Sequence, residues 1–110
     1  MSGISGKYKE LKIVENITAN GDYPAGRYLN YGGEAAIAMY GTMDTATVEF
    51  VFFTEKSDET LHEIGTPADF SFTEFPLPAA YSFPDQMPFK IRVSSVGAST
   101  DISINLHRVR

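Results

Sequence analysis

The chain has 110 residues, of which 43% are hydrophobic, 13% aromatic and 21% charged. This length and composition predict one folded domain and exclude a chain that stays disordered. Cysteine is absent, which excludes disulfide frameworks, thiolate zinc sites and cysteine nucleophiles. The formal net charge of −5 argues against nucleic-acid binding, and no apolar run approaches the roughly 18 residues of a membrane span. We therefore expect neither nucleic acid nor a membrane among the partners.

The first part of the chain predicts short strands between turns. Residues 7–19 alternate apolar and charged side chains and predict a strand with a break. Residues 20–26 are rich in turn formers, and residues 27–30 predict a short strand. Residues 35–40 are small and apolar between glycines, and they predict a buried strand, with a helix as the alternative.

Residues 46–54 form the clearest strand of the sequence. Apolar side chains recur at every second position up to Phe52, which is the period of a strand with one buried face. Val51 and Phe53 make the opposite face apolar as well. We therefore expect both faces of this strand to be covered towards its end.

The segments that follow are punctuated by turn formers. Residues 55–59 predict a hairpin turn into a strand over 60–64, although a helical turn over 58–64 is an alternative. Residues 70–75 predict an aromatic strand at a sheet edge, because the two prolines that follow cannot donate to a ladder. Residues 79–83 predict a short strand or an irregular crossing.

The C-terminal residues complete an all-β pattern. Residues 89–96 and 100–109 alternate strongly and predict a final hairpin. The whole pattern predicts a single antiparallel β-sandwich, jelly-roll or Ig-like, with little or no helix. We expect residues 9–110 to form this domain and residues 1–8 to be a flexible N-terminal arm. The predicted core consists of Val48, Phe50, Phe52, Ile91, Val93, Ile102, Ile104 and Leu106.

Reactive groups are scattered rather than clustered. His62 and His107 are the only histidines, and the acids around the first lack the spacing of a calcium loop. Glu49 and Glu74 are the best candidates for paired carboxylates, but their spacing gives no support. The sequence therefore predicts no catalytic residue, no metal site and no cofactor, and hence a protein that is not an enzyme.

Tyrosines near turns are the remaining candidates for a binding surface. An exposed tyrosine can stack on a sugar or anchor a protein interface, whereas a half-buried one is simply the rim of a small core. The candidate interface residues are Tyr23, Tyr28, Tyr31, Tyr40 and Tyr81.

Residues 33–109 resemble small β-sandwich virion proteins of tailed bacteriophages. The resemblance begins with a strand of the form G-x-x-x-x-A-T-V at residues 41–48, followed by a polar hairpin at residues 55–59. It continues with an aromatic strand that leads into L-P-A at residues 77–79 and ends with the strand pair of residues 89–104.

The resemblance implies a bacteriophage virion structural protein, above all a capsid decoration (cement) protein. Such a protein would stabilise the head by binding the major capsid protein, or another virion protein, and copies of itself. A homo-oligomer, with a trimer favoured, and a virion location after assembly in the host cytoplasm are further implications. The alternative is a tail or fibre adhesin module that binds a host-surface carbohydrate or receptor.

Overall fold

The computed structural model describes residues 10–84 and 87–109, and within them it consists of nine strands and one turn of 3-10 helix. The all-β prediction is therefore confirmed. The strands are β1 Glu10–Ile17, β2 Gly21–Tyr23, β3 Gly33–Thr42, β4 Thr47–Glu55, β5 Leu61–Gly65, β6 Ser71–Phe72, β7 Ala80–Phe83, β8 Phe89–Ser94 and β9 Asp101–Arg108.

Two antiparallel sheets pack face to face. Sheet I has the strand order β1-β9-β3-β7, and sheet II has the order β2-β8-β4-β5, with β6 also paired to β4. The chain changes sheet at every connection except β4–β5 and β5–β6. The late strands β8 and β9 lie between the early ones, and this double Greek-key order is that of a jelly roll. The predicted β-sandwich is thus confirmed, in the first of its two expected forms.

The core lies between the two sheets, and all eight predicted core residues are buried in it. Its centre is aromatic, because alternation along β4 and β8 sends successive phenylalanines inward. The rings of Phe83 and Phe89, for example, lie 5.4 Å apart between centroids. The clustered rings belong to Phe50, Phe52, Phe70, Phe83 and Phe89.

The predicted final hairpin is wrong. β8 belongs to sheet II and β9 to sheet I, so these consecutive strands face each other across the core instead of pairing. The connection between them docks on the β3–β4 loop, where Thr45 donates to the carbonyl oxygen of Ser95 and the carboxylate of Asp44 accepts from the Ser99 amide. A turn-forming segment ends a strand in the same way whether the chain then reverses or crosses.

Other predicted segments fare differently. The break in β1 is confirmed as two register irregularities, with Asn16 at a φ of 55°. The predicted turn over 20–26 is partly wrong, because Gly21–Tyr23 form the edge strand β2, which pairs with β8. The strand over 27–30 reduces to one bridge at Leu29.

In the middle of the chain, the structure decides between the strand and the alternatives that the sequence left open. Residues 35–40 belong to β3 and residues 80–83 to β7, so both are strands. β5 replaces the helical alternative over 58–64. The aromatic strand over 70–75 is shorter than predicted, because Phe70 ends the 3-10 turn and only Ser71 and Phe72 pair with β4.

β3 continues through Gly41, beyond the strand that the sequence predicts over residues 35–40. Gly41 has a φ of 112°, and a Cβ at this position would overlap the carbonyl oxygen of Asp101 on β9. Only glycine combines this backbone conformation with so close an approach. A residue that looks like a strand breaker therefore allows β3 to pair with the whole length of β9, from Arg108 to Asp101.

The outer face of sheet II is covered by its own side chains. Val51 and Phe53 point away from the core and are nevertheless buried, as predicted for both faces of this strand. The ring of Tyr28 packs edge-on against Phe53 at 5.0 Å, and the Lys90 ammonium lies 5.0 Å from the Tyr28 ring centre. Apolar surface outside the core is thus shielded by an aromatic ring and a basic side chain.

The outer face of sheet I carries two buried polar residues on β9. Ser103 accepts a hydrogen bond from the amide of Asn16 at 3.1 Å. Asn105 is 9% exposed, and its side-chain oxygen has no hydrogen-bond partner among the side chains that the structure describes. Within the described residues, the Ser103 oxygen therefore accepts a hydrogen bond and the Asn105 oxygen does not, although both lie on the same face of β9.

Candidate functional site

An open apolar pocket lies at one end of the sandwich. Its volume is about 350 Å³, close to the lower end of the range of small-ligand pockets, roughly 300–1,000 Å³. Apart from the Thr66 hydroxyl, no side chain in its lining carries a polar atom. The lining residues are Phe52, Ile64, Gly65, Thr66, Pro67, Pro84 and Met87.

A β-bulge in β5 creates one wall of this apolar pocket. Phe53 pairs with Glu63 and Phe52 pairs with Gly65, so Ile64 is an extra residue without a partner on β4. A bulge at a sheet edge redirects the side chain of the extra residue. Ile64 is accordingly 56% exposed, although it is an apolar residue within a strand.

A second apolar feature is the connection between β6 and β7, residues 73–79, which we call the Leu77 loop. Leu77 is 84% exposed, the highest value among the large apolar side chains that the structure describes. Pro76 and Pro78 flank it and fix its backbone on both sides. Phe75 is partly buried against the core and anchors the base of the loop. Leu77 is therefore a protruding apolar side chain on a stiff segment.

The apolar pocket and the Leu77 loop lie at opposite ends of β7. The loop precedes Ala80, while Pro84 of the pocket follows Phe83. At about 3.3 Å per residue, β7 separates them by roughly 15 Å. β7 is an edge strand of sheet I and β5 an edge strand of sheet II, so both features share one lateral side of the sandwich, which we call the margin.

A cluster of three charged side chains lies on sheet II. The Arg92 guanidinium donates to both carboxylate oxygens of Asp22, at 2.8 and 2.9 Å, and to both of Glu63, at 3.0 Å. Asp22 lies on edge strand β2 and Glu63 on edge strand β5, so one side chain links the two edges of the sheet. The hydrogen bonds from Arg92 hold the pKa of both carboxyls below the usual range.

The structure does not bring the five candidate tyrosines together. Tyr28 and Tyr40 are exposed but lie on the outer faces of opposite sheets. Tyr31 is buried, with its ring edge-on to Phe83 and the Arg108 guanidinium 5.1 Å from its centre. Tyr23 and Tyr81 are half-buried against the core. Their use in an interface stays a prediction, and they do not form one common surface.

The candidate metal and acid residues are also dispersed. His62 lies on β5 of sheet II and His107 on β9 of sheet I. Glu49 lies on β4, and Glu74 is exposed in the Leu77 loop. Among residues 10–84 and 87–109, no group of three His, Cys, Asp or Glu side chains could hold a metal ion.

No family model, curated protein or solved structure matches the chain significantly. Over the described residues, no helix is long and apolar enough to span a membrane.

Sequence reasoning missed the margin. A signal was present at Leu61 and Ile64, whose spacing of three departs from strict alternation within a predicted strand. Such a departure is typical of either a helix or a bulge, and only strand pairing decides between them. A second signal was the P-L-P segment at residues 76–78, which places an apolar side chain between two residues that cannot join a ladder.

Proposed function

We propose that the protein is a non-enzymatic bacteriophage virion structural protein, and specifically a capsid decoration protein that binds the major capsid protein and itself. The virion part of this proposal rests on the resemblance of residues 33–109 described above. The mode of action rests on the margin, and the exposure of Leu77 is the observation that carries it.

The margin supports a binding role because its apolar groups do not serve the fold. The core between the sheets is complete without Leu77 and Ile64. A few apolar anchors supply most of the energy of an interface, and Leu77 and Ile64 are available for such a role. The Leu77 loop loses little entropy on binding because its prolines already restrict it.

The fold is compatible with this proposal without deciding it. Jelly rolls occur in capsid proteins, but also in lectins and cupins. A sugar site needs several convergent polar groups, whereas the pocket wall offers one hydroxyl, that of Thr66. The apolar lining therefore favours a protein partner over a carbohydrate.

The first experiment is quantitative mass spectrometry of purified particles of the phage that encodes the chain. A decoration protein is expected at hundreds of copies per particle, because it covers a capsid lattice. A few copies would favour the tail or fibre adhesin, and saturable glycan binding by the free protein would strengthen that reading. Absence from the particle would refute the virion assignment.

The second experiment adds the protein back to particles from which it has been stripped. We expect Leu77→Asp to lower occupancy and the thermal rupture temperature of the particle, because a charge replaces an apolar anchor. Val109→Asp is the matched control, since Val109 is also an exposed apolar residue but lies outside the margin. Equal occupancy of all three proteins would remove the margin from capsid attachment.

A deletion of residues 1–8 belongs in the same series. The predicted flexible arm lies outside the described residues, and its role stays a prediction. We expect lower occupancy if the arm orders on the particle, and unchanged occupancy would exclude it from attachment.

A further inference from the structure

We propose that the margin is a head-to-tail contact between copies of this chain, in which Leu77 of one copy inserts into the apolar pocket of the next. The inference rests on the proposed binding role and specifies the self-contact within it. Three observations carry it: a protruding apolar side chain, an open apolar pocket, and their placement on one molecule.

The first step of the argument is complementarity. The Leu77 loop presents a leucine between two prolines, none of which has a side-chain polar group. The pocket offers about 350 Å³ with an almost entirely apolar lining. Seating the leucine there would remove apolar surface from water on both sides of the contact.

The second step is that Leu77 cannot fill the apolar pocket of its own molecule. The loop and the pocket lie at opposite ends of β7, roughly 15 Å apart, and the two prolines restrict the backbone of the loop. The leucine in the pocket must therefore belong to another molecule. The contact joins two different surfaces, so it is heterologous and produces a closed ring or an open chain of copies.

The third step concerns charge. Each copy carries a formal net charge of −5, so two copies repel each other. Salt screens this repulsion but leaves apolar contact intact. Self-association through the margin should therefore strengthen with salt, whereas docking on a basic partner through acidic side chains should weaken.

The test uses two complementary variants of the full chain. Leu77→Asp removes the inserted side chain and leaves the pocket, while Ile64→Asp charges the pocket and leaves the leucine. In sedimentation velocity up to about millimolar concentration, we expect the wild type to associate and each variant alone to stay monomeric. An equimolar mixture should recover association as a dimer only, since it contains one intact leucine and one intact pocket per pair.

Cysteine cross-linking provides the second measurement, because the natural chain contains no cysteine. Leu77→Cys and Thr66→Cys proteins are prepared separately, mixed and oxidised. We expect this pair to cross-link at least about tenfold faster than Leu77→Cys with Ser57→Cys, which lies on the exposed β4–β5 turn. Thermal unfolding of each variant verifies that it is folded.

The outcomes separate this inference from the proposed function. A wild type that stays monomeric, together with cysteine variants that cross-link without selectivity, overturns the contact, as does a mixture that fails to recover association. In that case particle occupancy, measured independently, still decides the decoration role. Recovery in the mixture would establish the contact even if the protein were absent from particles.

Discussion

The space between the two sheets and the margin are built from the same residue types but differ in what covers them. Ile104 is fully buried by the opposite sheet, whereas Ile64 is 56% exposed in the wall of the apolar pocket. In the first region, apolar side chains are covered by the chain itself. In the second, a bulge and two prolines hold them outward. The contrast separates apolar residues that fold the protein from those that remain available to a partner.

The largest expected effect tests this contrast with one residue type. Ile104→Ala should lower the free energy of unfolding by about 2–4 kcal/mol, because it removes buried methyl groups and leaves a cavity. Ile64→Ala should change it by less than about 0.5 kcal/mol, since the side chain is already largely in water. Urea denaturation of both variants gives the comparison.

Either variant can contradict the distinction between the core and the margin. A cost below about 0.5 kcal/mol for Ile104→Ala would mean that the residue is not in the core. A cost for Ile64→Ala that approaches the value for Ile104→Ala would mean that the margin contributes to folding, and its availability to a partner would then be refuted.

A smaller effect on stability is expected for the charged cluster on sheet II. Arg92→Met should cost about 1 kcal/mol near neutral pH, because the three side chains are each about a third or more exposed and solvent weakens their ion pairs. Arg92 lowers the pKa of Asp22 and Glu63, so its contribution is present above their unfolded values near 4. That contribution is lost as the pH falls through the lowered values.

The measurement is thermal unfolding from pH 7 to pH 2. The difference between wild type and Arg92→Met should shrink at the acidic end. Lys90→Met is the control, because the Lys90 ammonium lies over the Tyr28 ring, whereas it is the Arg92 guanidinium that holds both carboxylates. A difference for Arg92→Met that is constant with pH would contradict the role of the two carboxyls.

Effects of about the same size, but of opposite sign, are expected at two positions on the outer face of β9. Asn105→Leu should raise the stability by up to about 1 kcal/mol, because it removes a buried oxygen that has no partner within the described part of the chain. Ser103→Ala should lower it by about 0.5–1.5 kcal/mol, because it leaves the Asn16 amide without its acceptor. Chemical denaturation midpoints report both, and equal signs would show that hydrogen-bond satisfaction does not distinguish these sites.

The sequence predicted what depends on alternation and missed what depends on pairing. The interior positions of β4, β8 and β9 follow from period two, and all are buried. The pairing partner of β9 does not follow, because residues 95–100 carry the same turn signals whether a strand reverses or crosses to the other sheet. β2 was missed because its three residues pair only through the distant β8.

The margin could be predicted only in part. The exposure of Leu77 follows from its two flanking prolines. The pocket does not, because it requires residues 64–67 of one connection and Pro84 and Met87 of another to meet beside Phe52. The periodicity of neither segment predicts that the two segments lie side by side.

The position of β9 has a consequence for how the protein is made. β9 follows the other eight strands along the chain, yet it lies between β1 and β3 in the centre of sheet I. A ribosome delivers this strand after β1 and β3, which until then expose unpaired edges. Sheet I therefore cannot close while its last strand is still in the exit tunnel, and the nascent chain passes through a stage at which it is open to association with its neighbours.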